Sequence, residues 1–540
     1  MAKTPGMLVV AAASLFAGVI ALSSAVSQRA GSGEPSDTKD ALAQNFAAEH
    51  EIGRRFHVDP NDLPPPKTGP VVTNRSLILP YAGQAPQAPP GFTATLFASG
   101  LANPRRLLVL PNGDVLLAEQ GPGYLTLLRD DGQGGPAKWI DRFADDFNRP
   151  YGMALRGDDV LVTDQDGIWR VPLVVGALRA GRPVPPQRVA DVPPDQRKPV
   201  PGAYGAEMLT QKGVFGVVQG HQNRHLVIDP KSGALYVGVG SVGNVGVEPE
   251  PKATIQRFDP DGGNQATVVS GTRNPTALAF HPDTGDLWAL VQERDGLGDN
   301  LPSDYLIRVR QGGFYGWPYA YIGKHPMPGF ANLALDKVEA SITPDLLFTA
   351  HSSLLDLVFY DGDQFPPEYK GSLFVALKGS WNRSIPTGYK VVRVPFKDGR
   401  PEGYYENFAT GFWASGEQRA EVWGRPAALA VAPRTAPCSS PTTPAARSGA
   451  FLTTAHHPPS TPLRRRRPRG RQQKPKREAA EHNQRTGARS SSASRSFAGA
   501  CTDKTSLGYS RRHWFGMRDG LLRSVPSLEA ALVVVIFGPT

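Results

Sequence analysis

The chain has 540 residues, 40% of them hydrophobic and 20% charged, with 58 Gly, 52 Pro and 2 Cys. This composition excludes a wholly disordered chain and a disulfide-stapled mini-protein, and so many Gly and Pro disfavour a helical bundle. The formal charge of +10 is not a property of the body: residues 434–540 hold 19 Lys and Arg against 5 Asp and Glu, whereas residues 1–433 hold 40 against 44, which leaves no basic body to bind nucleic acid.

At the N-terminus, Lys3 precedes an uncharged apolar stretch from Met7 to Val26, and Arg29 follows it. Residues 1–26 are therefore expected to be a secretory signal peptide with Ser23-Ser24-Ala25 as its cleavage site, or, uncleaved, an N-terminal membrane anchor. Either form places the body in the periplasm or outside the cell. Residues 27–90, rich in Pro and poor in periodicity, are expected to be an export linker and loosely attached arm.

From Gly91 the texture becomes β-rich. The strand expected over Phe92–Phe97 stands where a ring of sheets closes on its own last member. An apolar run, a Gly-containing turn and a second apolar run then recur from Arg105, Pro150, Arg224, Asn274 and Leu354, and a sixth copy opens at Arg425. Asn-Gly, Asp-Gly and Ser-Gly steps supply the positive φ that tight hairpins need. Six copies at intervals of roughly 45 to 80 residues predict an all-β fold, a six-bladed β-propeller with four-stranded antiparallel blades over residues 91–433.

Loops at one end of a propeller converge, so Gly220-His221-Gln222-Asn223-Arg224, Gly271-Thr272-Arg273-Asn274-Pro275, Leu377-Lys378-Gly379-Ser380-Trp381-Asn382-Arg383-Ser384 and Gly424-Arg425-Pro426 are the candidate site. Three of the four directly precede a repeat and so face the same end. They offer one imidazole able to accept a proton at neutral pH and several permanent cations suited to an anionic ligand. The same residues also serve plain structure, since Arg-Asn-Pro shapes turns and a histidine beside a strand commonly packs.

The segments GHQNRHLVIDPKSGALYVGVGS, GTRNPTALAFHPDTGDLWALVQERDGLGDNLPSDYLIRVRQGGFYGWPY and FPPEYKGSLFVALKGSWNRSIPTGYKVVRVPF resemble the soluble pyrroloquinoline quinone (PQQ)-dependent sugar dehydrogenases, most nearly the sorbosone dehydrogenase branch. The resemblance runs through about 340 residues in order. It implies a periplasmic quinoprotein that oxidises an aldose or a sorbosone-like aldehyde sugar by proton abstraction and hydride transfer to PQQ. On it, His221 is the general base, Arg273 and Asn274 flank the reactive carbonyl, Lys378 and Arg425 hold the cofactor carboxylates, and Arg224 orients the site.

The family also implies Ca2+, for which Glu293, Asp295, Asp299 and Asp304 offer hard oxygen ligands. Arg294-Asp295 stands where the glucose-oxidising branch has Gly-Pro. Trp317, Tyr319, Trp381 and Tyr389 are candidates to stack on sugar or cofactor, His351 is a candidate supporting residue, and Asn74-Arg75-Ser76 and Asn382-Arg383-Ser384 match a glycosylation pattern. With no CxxCH in the sequence, the electron acceptor is expected to be a separate quinone or cytochrome. Two readings of other classes stand beside this one: a Ca2+-dependent lactonase on the same ring, and a binding propeller without catalysis.

After Pro433 the repeat stops. Both cysteines, Cys438 and Cys501, and the run RRRRPRGRQQKPKR fall in residues 434–540. A family-like ending, Asp-Gly-Ser-Leu-Leu-Val-Thr-Asp-Asp-Thr-Gly-Gly-Thr-Ile-Trp-Arg-Val-Ser-Tyr, written in suitable codons and read one base late, reproduces Thr435–Leu452. Residues 434–540 are therefore expected to be a basic, low-order tail translated out of frame, leaving the last blade incomplete.

Overall fold

The computed structural model of the chain describes residues 35–130, 136–173 and 206–431, together with the backbone of two strands, Ala450–Thr454 and Leu532–Pro539. The expected signal segment, both cysteines and the arginine-rich run lie outside the described residues.

Six antiparallel sheets follow one another along the chain, and each repeat read from the sequence opens one of them. Blade one is Pro104–Val109, Val115–Glu119, Tyr124–Arg129 and Trp139–Ala144. Blade two runs from Met153–Arg156 to Glu207–Met208, and blade three from Leu226–Ile228 to Ala266–Ser270. Blade four runs from Asn274–Phe280 to Leu346–Leu347, and blade five from Leu354–Phe359 to Tyr405–Ala409. Blade six begins with Arg425–Ala430.

The first strand of each blade touches the first strand of the next, and that of blade six touches that of blade one, so the sheets form a ring of six. Apolar side chains alternate to both faces of each sheet and fill the gaps between neighbours. Trp288, Leu290 and Leu306 of blade four, for example, share a core with Leu357, Leu373, Val375 and Val392 of blade five. Each such buried side chain contributes about 1.5–3 kcal/mol. Inside the ring, the buried Asp356 carboxylate accepts from Leu429 N at 2.7 Å and pairs with Arg106, so one carboxylate ties blades one, five and six.

The register of the first strands of blades one, four, five and six shifts near their starts, and in three of them the shift begins at a proline: Pro104, Pro275 and Pro426. Proline has no N–H to give to the ladder, so the pairing steps past it.

Two expectations about the chain ends change. The last blade is not short of strands: Arg425–Ala430 pairs with Ala450–Thr454, which pairs with Leu532–Pro539, which pairs with Phe92–Ala98. The N-terminal strand closes the ring as expected, but the two strands between come from the segment expected to be low-order. The exposed edges of Arg425–Ala430 and Phe92–Ala98 both need partners, and two β-prone apolar runs supply them.

Nor is the arm loose. The helix Pro35–His50 brings Glu49 into a buried pair with Lys390, Arg55–Phe56 adds a fifth strand to blade five, and Leu77–Ile78 pairs in parallel with Glu421–Val422. Prolines keep residues 51–90 extended, and an extended strap finds partners at sheet edges and loop carbonyls.

Candidate active site

The loops before the first strands and after the second strands gather at one end of the ring. There a cavity of about 190 Å³ is lined by His221 from blade three; by Arg273, Gln292, Glu293, Asp295 and Asp304 from blade four; and by His351, Ser353, Trp381 and Asn382 from blade five. Residues separated by up to 161 positions in the chain thus share one hollow, because consecutive blades present equivalent loops.

His221 sits on the rim with Nδ1 at 2.9 Å from Ser241 O and 3.1 Å from Ser241 Oγ. Donation from Nδ1–H to the carbonyl leaves Nε2 as the basic nitrogen. Burial, then the charge of Arg273, pushes the imidazole down to about 4, so it is neutral at ordinary pH. The close fit depends on Gly240, where an added Cβ would lie 2.5 Å from His221 Cβ.

The Arg273 guanidinium, 6% exposed, donates to Asn244 O at 2.9 Å, Glu293 O at 2.6 Å and Asn244 Oδ1 at 3.1 Å. Its charge is met by carbonyl oxygens, with Asp295 Oδ2 at 3.9 Å. It is therefore a fixed cation beside a neutral imidazole.

Asn274 and Arg224 do not line the cavity. The Asn274 amide donates to Gln292 Oε1 and accepts from Asn223, fixing the layer behind His221. Arg224 is fully buried and donates to His221 O at 3.0 Å and Asn223 O at 2.6 Å, holding the loop that carries His221.

Lys378 and Arg425 lie outside the cavity lining but next to each other: Arg425 donates to Lys378 O at 3.0 Å and Gly379 O at 2.8 Å. The nearby Arg425 charge, then burial, then Arg105 hold the Lys378 ammonium well below its usual value. Three cations from blades five, six and one are thus crowded together, an arrangement that an anion relieves. Arg105 carries no motif of its own; its place beside the proline at which a first strand begins, as Arg425 stands beside Pro426, is the signal that could have found it.

Of the four carboxylates proposed as metal ligands, Glu293, Asp295 and Asp304 line the cavity and Asp299 does not, and they are not grouped as a metal site. Both Asp299 oxygens accept Ser384 N at 3.0 Å, and Ser384 Oγ donates to Oδ2, so this residue braces a loop. Asp304 accepts from Glu293 N at 2.9 Å and Ser353 N at 2.8 Å, and Asp295 Oδ1 accepts from Asn382 at 2.7 Å. Backbone and amide donors spread the carboxyl groups along the loop. Among the described residues no group of three or more His, Cys, Asp or Glu is arranged to hold a metal ion. Burial instead raises Glu293 and Asp304 to about 7 each.

His351 donates from Nε2 to Gly298 O at 2.9 Å and accepts at Nδ1 from Asn382 at 3.1 Å, so it anchors the wall. Trp381, 37% exposed, presents its ring at the mouth. Trp317 is occupied in bonding Asn244 O, and Tyr389 is buried under the Arg425 guanidinium. Neither Asn74 nor Asn382 is free for a glycan, because both amides are committed to internal acceptors. Gln292, Ser353 and Asn244 carried no site signal of their own; only the convergence of the loops gives them one.

Comparison with known proteins shows the resemblance read from the sequence. Residues 217–381 match the glucose/sorbosone dehydrogenase family, and residues 336–434 match the TrAA12-like family. An uncharacterized protein of Borreliella burgdorferi is 33% identical over 210 residues, 38% of this chain and 54% of that one. A pyrroloquinoline quinone-dependent pyranose dehydrogenase of Coprinopsis cinerea is 40% identical over 74 residues, 14% of this chain and 8% of that one. The chain thus spans about half of the first relative and a small part of the second. A calcium structure of the Trichoderma reesei carbohydrate-active enzyme of family AA12 shares the fold at a TM-score of 0.50 and 18% identity, covering 71% of this chain and 96% of that one.

Proposed function

We propose that the protein is a PQQ-dependent dehydrogenase that oxidises an aldose or a sorbosone-like aldehyde sugar outside the cytoplasm and passes the electrons to a separate acceptor. The observation that carries this reading is the pairing of a desolvated, neutral His221 with the fixed cation Arg273 in one cavity. The family match, and the PQQ dependence of the C. cinerea relative, support it.

A planar quinone bearing three carboxylates would draw on the cation group of Lys378, Arg425 and Arg105, where Arg425 bonds the Lys378 and Gly379 carbonyls beyond the lining of the His221 cavity. When bound, PQQ supplies an electron-poor carbonyl carbon that accepts hydride. His221 Nε2 takes the proton of the hydroxyl on the carbon to be oxidised, the anomeric hydroxyl of an aldose or a hydroxyl of the aldehyde's hydrate, with Ser241 fixing the tautomer through Nδ1–H. Arg273, held by Asn244 and Glu293, stabilises negative charge on an oxygen without having to reorganise. Trp381 offers a flat wall for the sugar ring.

The T. reesei relative has a calcium structure, and Ca2+ belongs to the proposal as an added component. The four carboxylates do not build a cage for it, and no step is derived through it.

The test is dye reduction by the purified chain reconstituted with PQQ and Ca2+ across a panel of aldoses and aldehyde sugars. Activity that is lost in His221→Ala supports the proposal. Lactone hydrolysis without dye reduction, or binding without either activity, overturns it.

A further inference from the structure

The cavity wall formed by blade five is held from outside the propeller. Its loop, residues 380–388, carries Trp381 and Asn382, and it is laced to the blade-four loop 294–300. Asn382 donates to Asp295, Ser384 N donates to Asp299, and Arg383 donates to Asp299 O and to Asn300 Oδ1 at 3.2 Å.

Behind both loops runs the arm. Lys67 N donates to Leu297 O at 2.8 Å, and the backbone at Gly69 approaches Asp299 so closely that an added Cβ would lie 3.4 Å from its amide nitrogen. Asn74 N donates to Trp381 O at 2.7 Å. Its side-chain amide donates to Arg383 O at 3.0 Å, Gln418 O at 2.9 Å and, more distantly, Ser384 O at 3.4 Å. The Arg75 guanidinium lies 5.8 Å from the centre of the Trp381 ring.

We propose that Asn74 is a positioning residue of the sugar site, setting the placement of Trp381 and Asn382 through the carbonyls of their own loop. The inference rests on the dehydrogenase reading, but Asn74 itself lies in none of the segments that carry the family resemblance. One amide meets carbonyls of two separate loops, 381–384 and 418. Only a donor satisfies this arrangement; a carboxylate there faces carbonyl oxygens with no hydrogen to share. The arm is anchored independently at Glu49 and at Leu77–Ile78, so losing the Asn74 amide frees the loop without detaching the strap.

Two measurements on the full chain test this. Among the described residues Trp381 is the exposed tryptophan, so the difference in acrylamide quenching between the parent and Trp381→Phe reports its accessibility. Asn74→Ala and Asn74→Asp are expected to change that difference about twofold, with Asn74→Ser between them and the parent. With PQQ and sugar, KM for the sugar is expected to rise about tenfold, the scale of losing one or two hydrogen bonds, while kcat and PQQ affinity stay within about twofold.

Unchanged quenching together with unchanged KM overturns the proposal. So does a parallel fall of kcat, PQQ affinity and thermal midpoint in Asn74→Ser as well as Asn74→Ala, which marks a purely structural residue. Altered quenching in a chain that oxidises no sugar shows that the dehydrogenase reading has failed while the hold on the loop stands.

Discussion

Replacing Glu49 by alanine should loosen the N-terminal arm at a cost that can be worked out from its partners. The carboxylate, 4% exposed, accepts from Thr387 Oγ1 at 2.7 Å and Gly388 N at 2.9 Å, and its Oε2 lies 2.9 Å from Nζ of Lys390, which is 1% exposed. The two opposite charges are thus in direct contact, with the Phe56 ring 4.0 Å from the ammonium on another side. Glu49→Ala strands a buried ammonium, a hydroxyl and an N–H together. Breaking a buried pair from one side costs about 3–5 kcal/mol. Neutralising the other side as well, in Glu49→Ala/Lys390→Met, should recover at least about half of that, because no charge is then left alone. Urea denaturation followed by circular dichroism on the four members of the cycle measures both quantities. A cost for Glu49→Ala below about 1 kcal/mol, or no recovery in the double variant, would refute the argument that the arm is locked by this pair.

Three more expectations follow from the site. The His221 limb of kcat/KM should fall as pH drops through about 4, because protonation removes the Nε2 lone pair; a limb near the ordinary histidine value would show that the ring is not desolvated. Changes around pH 7 belong to Glu293 and Asp304 and are read separately in Glu293→Gln. Gly240→Ala should reduce kcat at least about tenfold with the fold intact by circular dichroism, since its methyl meets His221 and Asn274; wild-type kcat would show that the imidazole has room to move. Resequencing the gene through the codon for Arg434 should reveal a one-base shift; an intact reading frame there, together with the tail found at the protein level, would end that idea.

The ring was legible in the sequence because each blade announces itself locally. Apolar runs around Asn-Gly, Asp-Gly or Ser-Gly turns fix hairpins without reference to distant chain, and all six became the opening strands of blades. His221 and Arg273 were legible for a related reason: each precedes a first strand, and that register alone sends it to the shared end. What the sequence could not decide was which polar groups are spent on structure. Asp299, Asp304 and Asp295 stand in an acidic stretch that reads as a ligand set, yet N–H groups of loops up to 87 residues away must be satisfied and claim those oxygens first.

The same holds for Arg224 and Asn274, drawn behind the cavity to hold His221, and for Asn74, whose acceptors lie more than 300 positions further along the chain. Local chemistry sets turns, strands and the end of the ring to which a residue goes. Whether a side chain there faces a ligand or a neighbouring loop depends on partners distant in sequence, and only the folded chain brings those together.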